Sequence, residues 1–194
     1  MKEIALHILD IAENSVAAGA QTVQITIEED VMGNRIRMSV RDDGKGMDVE
    51  KLACVGDPFT TSRTTRVAGL GIPFLKAAAE ECNGGLHVNS TPEDGTLLEA
   101  EFQMDHIDRM PLGDLAGTML SLVVGSPDIT WQLYYQVNGK TFHFDSQPIR
   151  EELGDVPLTE PSILRFVREM LQEGIADVQQ AKNREARNAG SKIH

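Results

Sequence analysis

Ile36, Met38 and Val40 alternate with Arg35, Arg37, Ser39 and Arg41, which predicts a strand with one buried face. Parity then places Asp42 on the same face as the three apolar residues. A carboxylate in that place must be paired, ligated or functional, because burying it alone is too costly. Gly44-Lys45-Gly46 follows at once, and its glycines permit a tight turn and a close backbone approach to a ligand. A buried carboxylate beside such a turn can accept a hydrogen bond from an exocyclic amine, as adenine has. Leaving such an acceptor unpaired costs about 1–3 kcal/mol. By itself an Asp-x-Gly-x-Gly run is also what ordinary turns contain.

The flanking patterns place this strand in an α+β chain. Ile4, Ile8 and Ile11, with Leu9, Ala12 and Val16, recur at helical spacing over residues 3–17, and Gly19 closes that helix. Glu3, His7, Asp10 and Asn14 share one of its faces. Val23, Ile25 and Ile27 alternate with polar residues in a strand that turns at Gly33-Asn34 into the one ending at Asp42. A short helix is predicted near residues 49–55, a mobile loop over 56–71, and a helix over about 72–82 stopped by Asn83-Gly84-Gly85. Strands over 86–90 and 96–104 follow, joined by a turn with Pro92, Asp94 and Gly95.

Beyond Met104 a helix is predicted over 112–124. An alternating strand then runs through Ile129, Trp131, Leu133, Tyr135 and Val137, whose Trp131/Tyr135 stripe is core. Asn138-Gly139 is a hairpin turn, with Phe142 and Phe144 on the return strand. A helical turn over 148–153 precedes a long helix capped by Thr159, with Pro161 in its first turn. The expected division is a first domain over 1–104, an αββα extension over 105–178 and a polar tail over 179–194.

Eighteen Lys and Arg against 30 Asp and Glu give a net charge of −12. Such a surface repels phosphate backbones and anionic lipid, which argues against nucleic acid or membrane as the main partner. No apolar run approaches the roughly 20 residues of a membrane span. Cys54 and Cys82 lack metal-ligand spacing and read as reduced thiols, consistent with a cytoplasmic chain.

Two further features carry chemistry. Asp10 and Asn14 lie one turn apart, so they can share a hydrated magnesium ion, which prefers oxygen ligands. Alternatively the carboxylate can orient or deprotonate a water, and the bland alternative is a solvated polar face. Gly69-Leu70-Gly71 enters a helix, where free N–H groups suit phosphate.

The order of these elements is more specific than any one of them. Asn14-Ser15 with Ala18-Gly19-Ala20, Asp42-x-Gly44-x-Gly46, Pro58-Phe59-Thr60-Thr61, Gly69-Leu70-Gly71 and Gly95-Thr96 follow one another. This series resembles the GHKL superfamily of gyrase-type topoisomerases, heat-shock chaperones, histidine kinases and MutL mismatch-repair proteins, over about residues 3–104. The segment around Asn14 is most similar to MutL, and the stretch from Asp57 to Thr96 to a histidine-kinase catalytic domain.

The resemblance implies a Bergerat-type ATP-binding fold, a two-layer α+β sandwich with a mostly antiparallel sheet. It implies ATP and magnesium as ligands. Asn14 would hold the metal. Asp42 would accept the adenine amino group, with Gly44, Gly46 and Met47 around it and Thr96 sharing a bridging water. Phe59, Thr60 and Thr61 would begin a lid, and Gly69, Leu70 and Gly71 would meet the phosphates, with Arg63, Arg66 or Lys76 as cationic helpers. Asp10 falls where the ATPase branch carries its general-base glutamate.

Two departures bear on the chemistry. Asp10 is one methylene shorter than that glutamate, and a displacement of about 1 Å can cost on the order of 100-fold in rate. Glu13 points about 100° away and is a poor substitute. Val67 replaces the first glycine of the kinase-type lid box. Relatives also carry elements ahead of the first box. Here the helix and hairpin of residues 112–145 are expected to pack beside the first sheet and supply strands.

Three functions stay open: a slow magnesium-dependent ATPase or switch acting on a protein partner, a serine or histidine protein kinase resembling anti-sigma kinases, and a non-catalytic ATP-dependent interaction module. An orthodox sensor histidine kinase is less favoured, with no phosphoacceptor helix ahead of the first box, and DNA repair least. The partner is an unidentified protein or a second copy of the chain.

Overall fold

The computed structural model describes residues 3–55 and 71–190, with side chains as far as residue 180. The elements are α1 Ile4–Ala17, β1 Thr22–Asp30, β2 Arg35–Asp42, α2 Val49–Cys54, α3 Gly71–Glu81, β3 Gly85–Thr91 and β4 Gly95–Gln103. They continue with α4 Leu115–Gly125, β5 Thr130–Val137, β6 Lys140–Asp145, α5 Ser146–Leu153 and α6 Pro161–Gly190.

Among the described residues six strands form one sheet in the order β3-β4-β2-β1-β5-β6. Neighbours are antiparallel except β1 and β5, which run parallel with Val23 opposite Trp131 and Ile27 opposite Tyr135. The hairpin after residue 129 therefore extends the same sheet from its β1 side. Its apolar face needs burial, and β1 offers an open edge whose Val23, Ile25 and Ile27 point the same way.

Helices cover one face. α3 packs on β3 and β4, α1 on β1 and β2, and α4 and α6 on β5, while α1 touches both α3 and α4. Register turns the strand patterns into rows beneath these helices. Val88, Leu98, Val40, Ile25, Leu133 and Phe144 form one row, and Leu86, Ala100, Met38, Ile27, Tyr135 and Phe142 the next. The opposite face is polar. A shallow groove of about 480 Å³ lies there among Glu28, Arg37, His87 and Glu101, with Arg37 and Glu101 paired at 2.6 Å across it.

Helix ends follow local chemistry. After α1, Gly19 takes φ +79°, its N–H bonds the Val16 carbonyl at 3.0 Å, and Ala20 N–H bonds Ser15 at 3.2 Å. This paired closure satisfies carbonyls that the helix leaves open. Asn83 does the same for α3 at φ +54°. At α6 the structure corrects the expected cap. The Glu160 carboxylate, not Thr159, accepts the Ser162 and Ile163 N–H groups, at 2.7 and 3.2 Å. With Pro161 at the first helical position, the residue before it is the one placed to reach those donors. The helix backbone continues through most of the polar stretch, to Gly190.

Candidate nucleotide site

The row nearest the α1 end of the sheet differs from the others: Ser90, Thr96 and Asp42 stand side by side on β3, β4 and β2, followed by Val23 and Trp131. Asp42 is 8% exposed, on the helix-covered face that its parity predicts. Its Oδ1 accepts the Gly44 N–H at 3.0 Å and the Thr96 N–H at 3.2 Å, and its Oδ2 accepts the Ser15 hydroxyl at 2.6 Å. A carboxylate offers about four acceptor positions. Three are filled, and the fourth lies on Oδ2.

The surrounding turn is locked. Ser90 Oγ accepts the Met47 N–H at 2.9 Å, donates to the Gly95 carbonyl at 2.9 Å and lies 2.9 Å from Thr96 Oγ1. Lys45 N–H bonds the Ala18 carbonyl at 3.1 Å, which ties the turn to the end of α1. Asp43, of opposite parity, accepts the Gln21 and Thr22 N–H groups at 2.7 and 2.9 Å. Gly46 has a packing reason of its own. Its φ is +62°, and a Cβ there would come 1.9 Å from the Thr91 carbonyl oxygen.

A second cluster lies further back along α1. Asp10 faces the start of α3 so closely that a Cβ on Gly71 would come 1.7 Å from its Oδ2. That oxygen is buried and has no hydrogen-bond partner among the described residues, and His7 Nδ1 is in the same condition. Asn14, half-buried, lies one turn beyond Asp10 and next to Ser15. One helix thus carries Asp10, Asn14 and the hydroxyl that holds Asp42. Lys76, also on α3, pairs loosely with Glu80 at 4.0 Å, one turn further from Gly71.

Phe59, Thr60, Thr61, Arg63, Arg66, Gly69 and Leu70, with residues 56–70 of the loop expected over 56–71, lie outside the described residues, while Gly71, expected in that loop, belongs to α3. Among the described residues no group of three or more His, Cys, Asp or Glu could hold a metal ion. The Asn14 amide oxygen is the kind of ligand that a hydrated magnesium ion accepts, so Asn14 is the side chain here that could hold one. The orphaned Asp10 oxygen and the open acceptor position on Asp42 are compatible with a nucleotide between them.

Ser15 and Ser90 are the contributors that spacing did not flag. Ser15 was visible only as the neighbour of Asn14, and Ser90 only through its register with Thr96.

Burial holds the His7 imidazole below its ordinary value of 6.5, while contacts with Gly71 and Asp10 act the other way. A depressed histidine is neutral in the fold and takes up its proton on unfolding. Stability is therefore full above about pH 6.5 and is lost as the pH falls below it. Thermal melts at pH 7.5 and 5.5 are expected to show that loss, with His7→Leu reducing it; an undiminished loss would place its origin elsewhere.

The model of a family described as histidine kinase-, DNA gyrase B- and HSP90-like ATPase matches residues 2–106. The chain belongs to this family. This GHKL domain has the Bergerat fold, a mostly antiparallel mixed sheet with flanking helices. It is 32% identical over 115 residues to the non-motile and phage-resistance protein of Caulobacter vibrioides, covering 56% of this chain and 14% of that protein. It is 31% identical over 102 residues to sporulation kinase A of Bacillus subtilis, covering 53% of this chain and 16% of the kinase. The GHKL domain thus spans well under a fifth of either relative. Among solved structures, the N-terminal domain of a DNA repair protein aligns with a TM-score of 0.51 at 13% identity, over 74% of this chain and 52% of that one, which is a likeness of fold.

Proposed function

We propose that this GHKL domain binds magnesium-ATP between α1 and the Asp42 end of the sheet, and hydrolyses it slowly as a switch for a protein partner in the cytoplasm. The observation that carries the reading is Asp42, buried and fixed by three donors with one acceptor position left on Oδ2. That position suits the adenine amino group, and Ser15 and Thr96 set its direction. Asn14 holds the metal, which when bound neutralises charge on the phosphates. Asp10 supplies the orphaned oxygen. It takes the proton from a water whose oxygen bonds the γ-phosphorus, while the bond to the β–γ bridging oxygen breaks with its electron pair staying on ADP. The family's ATP chemistry and the placement of Asp10 on the Asn14 face of α1 support this role.

A second reading is kinase action, favoured by the likeness to sporulation kinase A. The γ-phosphoryl group then passes to a side chain of the partner, and Asp10 takes the proton of the accepting group.

Incubation with γ-labelled ATP separates these. Free labelled phosphate from the chain alone is the expected result; label on protein supports the kinase reading, and label left in ATP means a binding module. Asp10→Asn is expected to lower turnover about 100-fold, with ATP affinity within about twofold of the parent. Turnover at the parent rate would remove Asp10 from the chemistry.

A further inference from the structure

We propose that Ser90 is a positioning residue for purine selection: its oxygen accepts a hydrogen bond from the Thr96 hydroxyl, so that Thr96 meets the nucleotide as an acceptor. That Thr96 faces a nucleotide rests on the reading of Asp42 given above; the state of its hydroxyl does not. Ser90, on β3, stands opposite Thr96 on β4, and Thr96 stands opposite Asp42 on β2. Thr96 is thus the middle member of the row, with a polar side chain on either flank.

Three groups converge on the Ser90 hydroxyl oxygen, each at 2.9 Å: the Met47 N–H, the Gly95 carbonyl and Thr96 Oγ1. An amide N–H can only donate and a carbonyl can only accept. The one proton of Ser90 therefore goes to Gly95, and one lone pair takes the Met47 N–H. The contact with Thr96 is then a hydrogen bond only if Thr96 supplies the proton, to the second lone pair. This is the one assignment that makes all three bonds, and it uses the full capacity of a hydroxyl, one donor and two acceptors.

The consequence falls on Thr96. Its hydroxyl proton is spent on Ser90, and its backbone N–H on Asp42 Oδ1 at 3.2 Å. What its side chain has left is the lone pairs of Oγ1, which have no other partner among the described residues. Beside them lies the acceptor position on Asp42 Oδ2, where Ser15 already gives its proton. These side chains therefore offer acceptors and no donor. A purine with an amino group at C6 brings N–H bonds to such a site, whereas one with a carbonyl at C6 brings a further acceptor and is rejected. A threonine hydroxyl free to rotate would undo part of this, because it could turn its proton toward that carbonyl. Ser90 denies it the freedom.

Calorimetric titration with magnesium-ATP and with magnesium-inosine triphosphate, whose base carries oxygen in place of the C6 amino group, tests this. Ser90→Ala is expected to lower the preference for ATP over inosine triphosphate about tenfold. Loosening of the turn at Met47 would weaken both nucleotides by the same factor, so the ratio separates selection from mere support. Ser90→Thr keeps the hydroxyl and is expected to hold the ratio within about threefold of the parent. Thr96→Val is expected to lower the ratio by itself. Adding Ser90→Ala to it should change the ratio less than about twofold, since the hydroxyl through which Ser90 acts is gone.

An unchanged ratio in Ser90→Ala overturns the proposal and leaves Asp42 in place as the adenine acceptor. A threonine that lowers the ratio as alanine does also overturns it, and so does a further fall when Ser90→Ala is added to Thr96→Val. A parent chain that binds neither nucleotide, or both equally, removes selection at C6 altogether, and the adenine reading of Asp42 goes with it.

Discussion

Asp42→Asn is expected to lower ATP affinity about 1,000-fold in a calorimetric titration. The substitution is nearly isosteric, and the existing donors dictate how it must sit. Two backbone N–H groups converge on Oδ1, from Gly44 and Thr96, so the amide oxygen takes that side. The amide nitrogen is then forced to the Oδ2 side, where Ser15 turns its hydroxyl around and accepts. The position offered to the nucleotide changes from acceptor to donor. A charge-assisted bond of about 1.5–3 kcal/mol is lost and two buried donors face each other, for a total near 4 kcal/mol. That is about three decades in affinity. The melting temperature of the free chain should move little, because every protein–protein bond at Asp42 has a replacement. An asparagine variant that bound ATP within threefold of the parent would remove Asp42 from nucleotide recognition.

Trp131→Ala is expected to cost about 3–5 kcal/mol of stability, or roughly 10 °C in a thermal melt for a chain of this length. Trp131 is fully buried, pairs with Val23 across the parallel β1–β5 seam, and its indole N–H bonds the Ser126 carbonyl at 3.0 Å. It occupies the same row as Asp42, with Val23 between them. Damage to β5 is therefore damage to the core beneath the Asp42 end of the sheet. The variant is expected to melt in one transition, and ATP to raise that whole transition. Two transitions, with the β5–β6 part melting early and ATP raising only the later one, would show two cores where the packing indicates one.

Much of this was legible in residues 1–55. Period-four apolar spacing marked α1, Gly19 marked its end, and parity alone put Asp42 inside. The same parity rule leads to Glu29, which follows Val23, Ile25 and Ile27 onto the buried face of β1. What sequence could not supply was its partner. The Tyr135 hydroxyl, 106 positions away, donates to Glu29 at 2.6 Å, and burial, first, and that carboxylate, second, push the phenol well above its usual range. Likewise the serine that fixes Asp42 lies 27 positions before it on another element. Turn chemistry is local and was read locally: Asn138-Gly139 takes φ +47° and +87°. Gly46 shows the limit of that method, since its glycine answers to the Thr91 carbonyl on a different hairpin. The cap of α6 moved from Thr159 to Glu160 because a carboxylate has the reach and charge to serve two amides at once.

The parallel seam between β1 and β5 also sets a timetable for the growing polypeptide. Strands β1, β2, β3 and β4 leave the ribosome before β5, the strand that pairs with the remaining flank of β1 in the finished sheet, which is made only with the segment around Trp131 to Val137. During that interval the newborn sheet carries an unprotected ribbon of amide groups beside Val23, Ile25 and Ile27, an invitation to pair with a neighbour on the same messenger. A pause in translation shortly before residue 130 would prolong that hazard, and swift passage through it would shorten it.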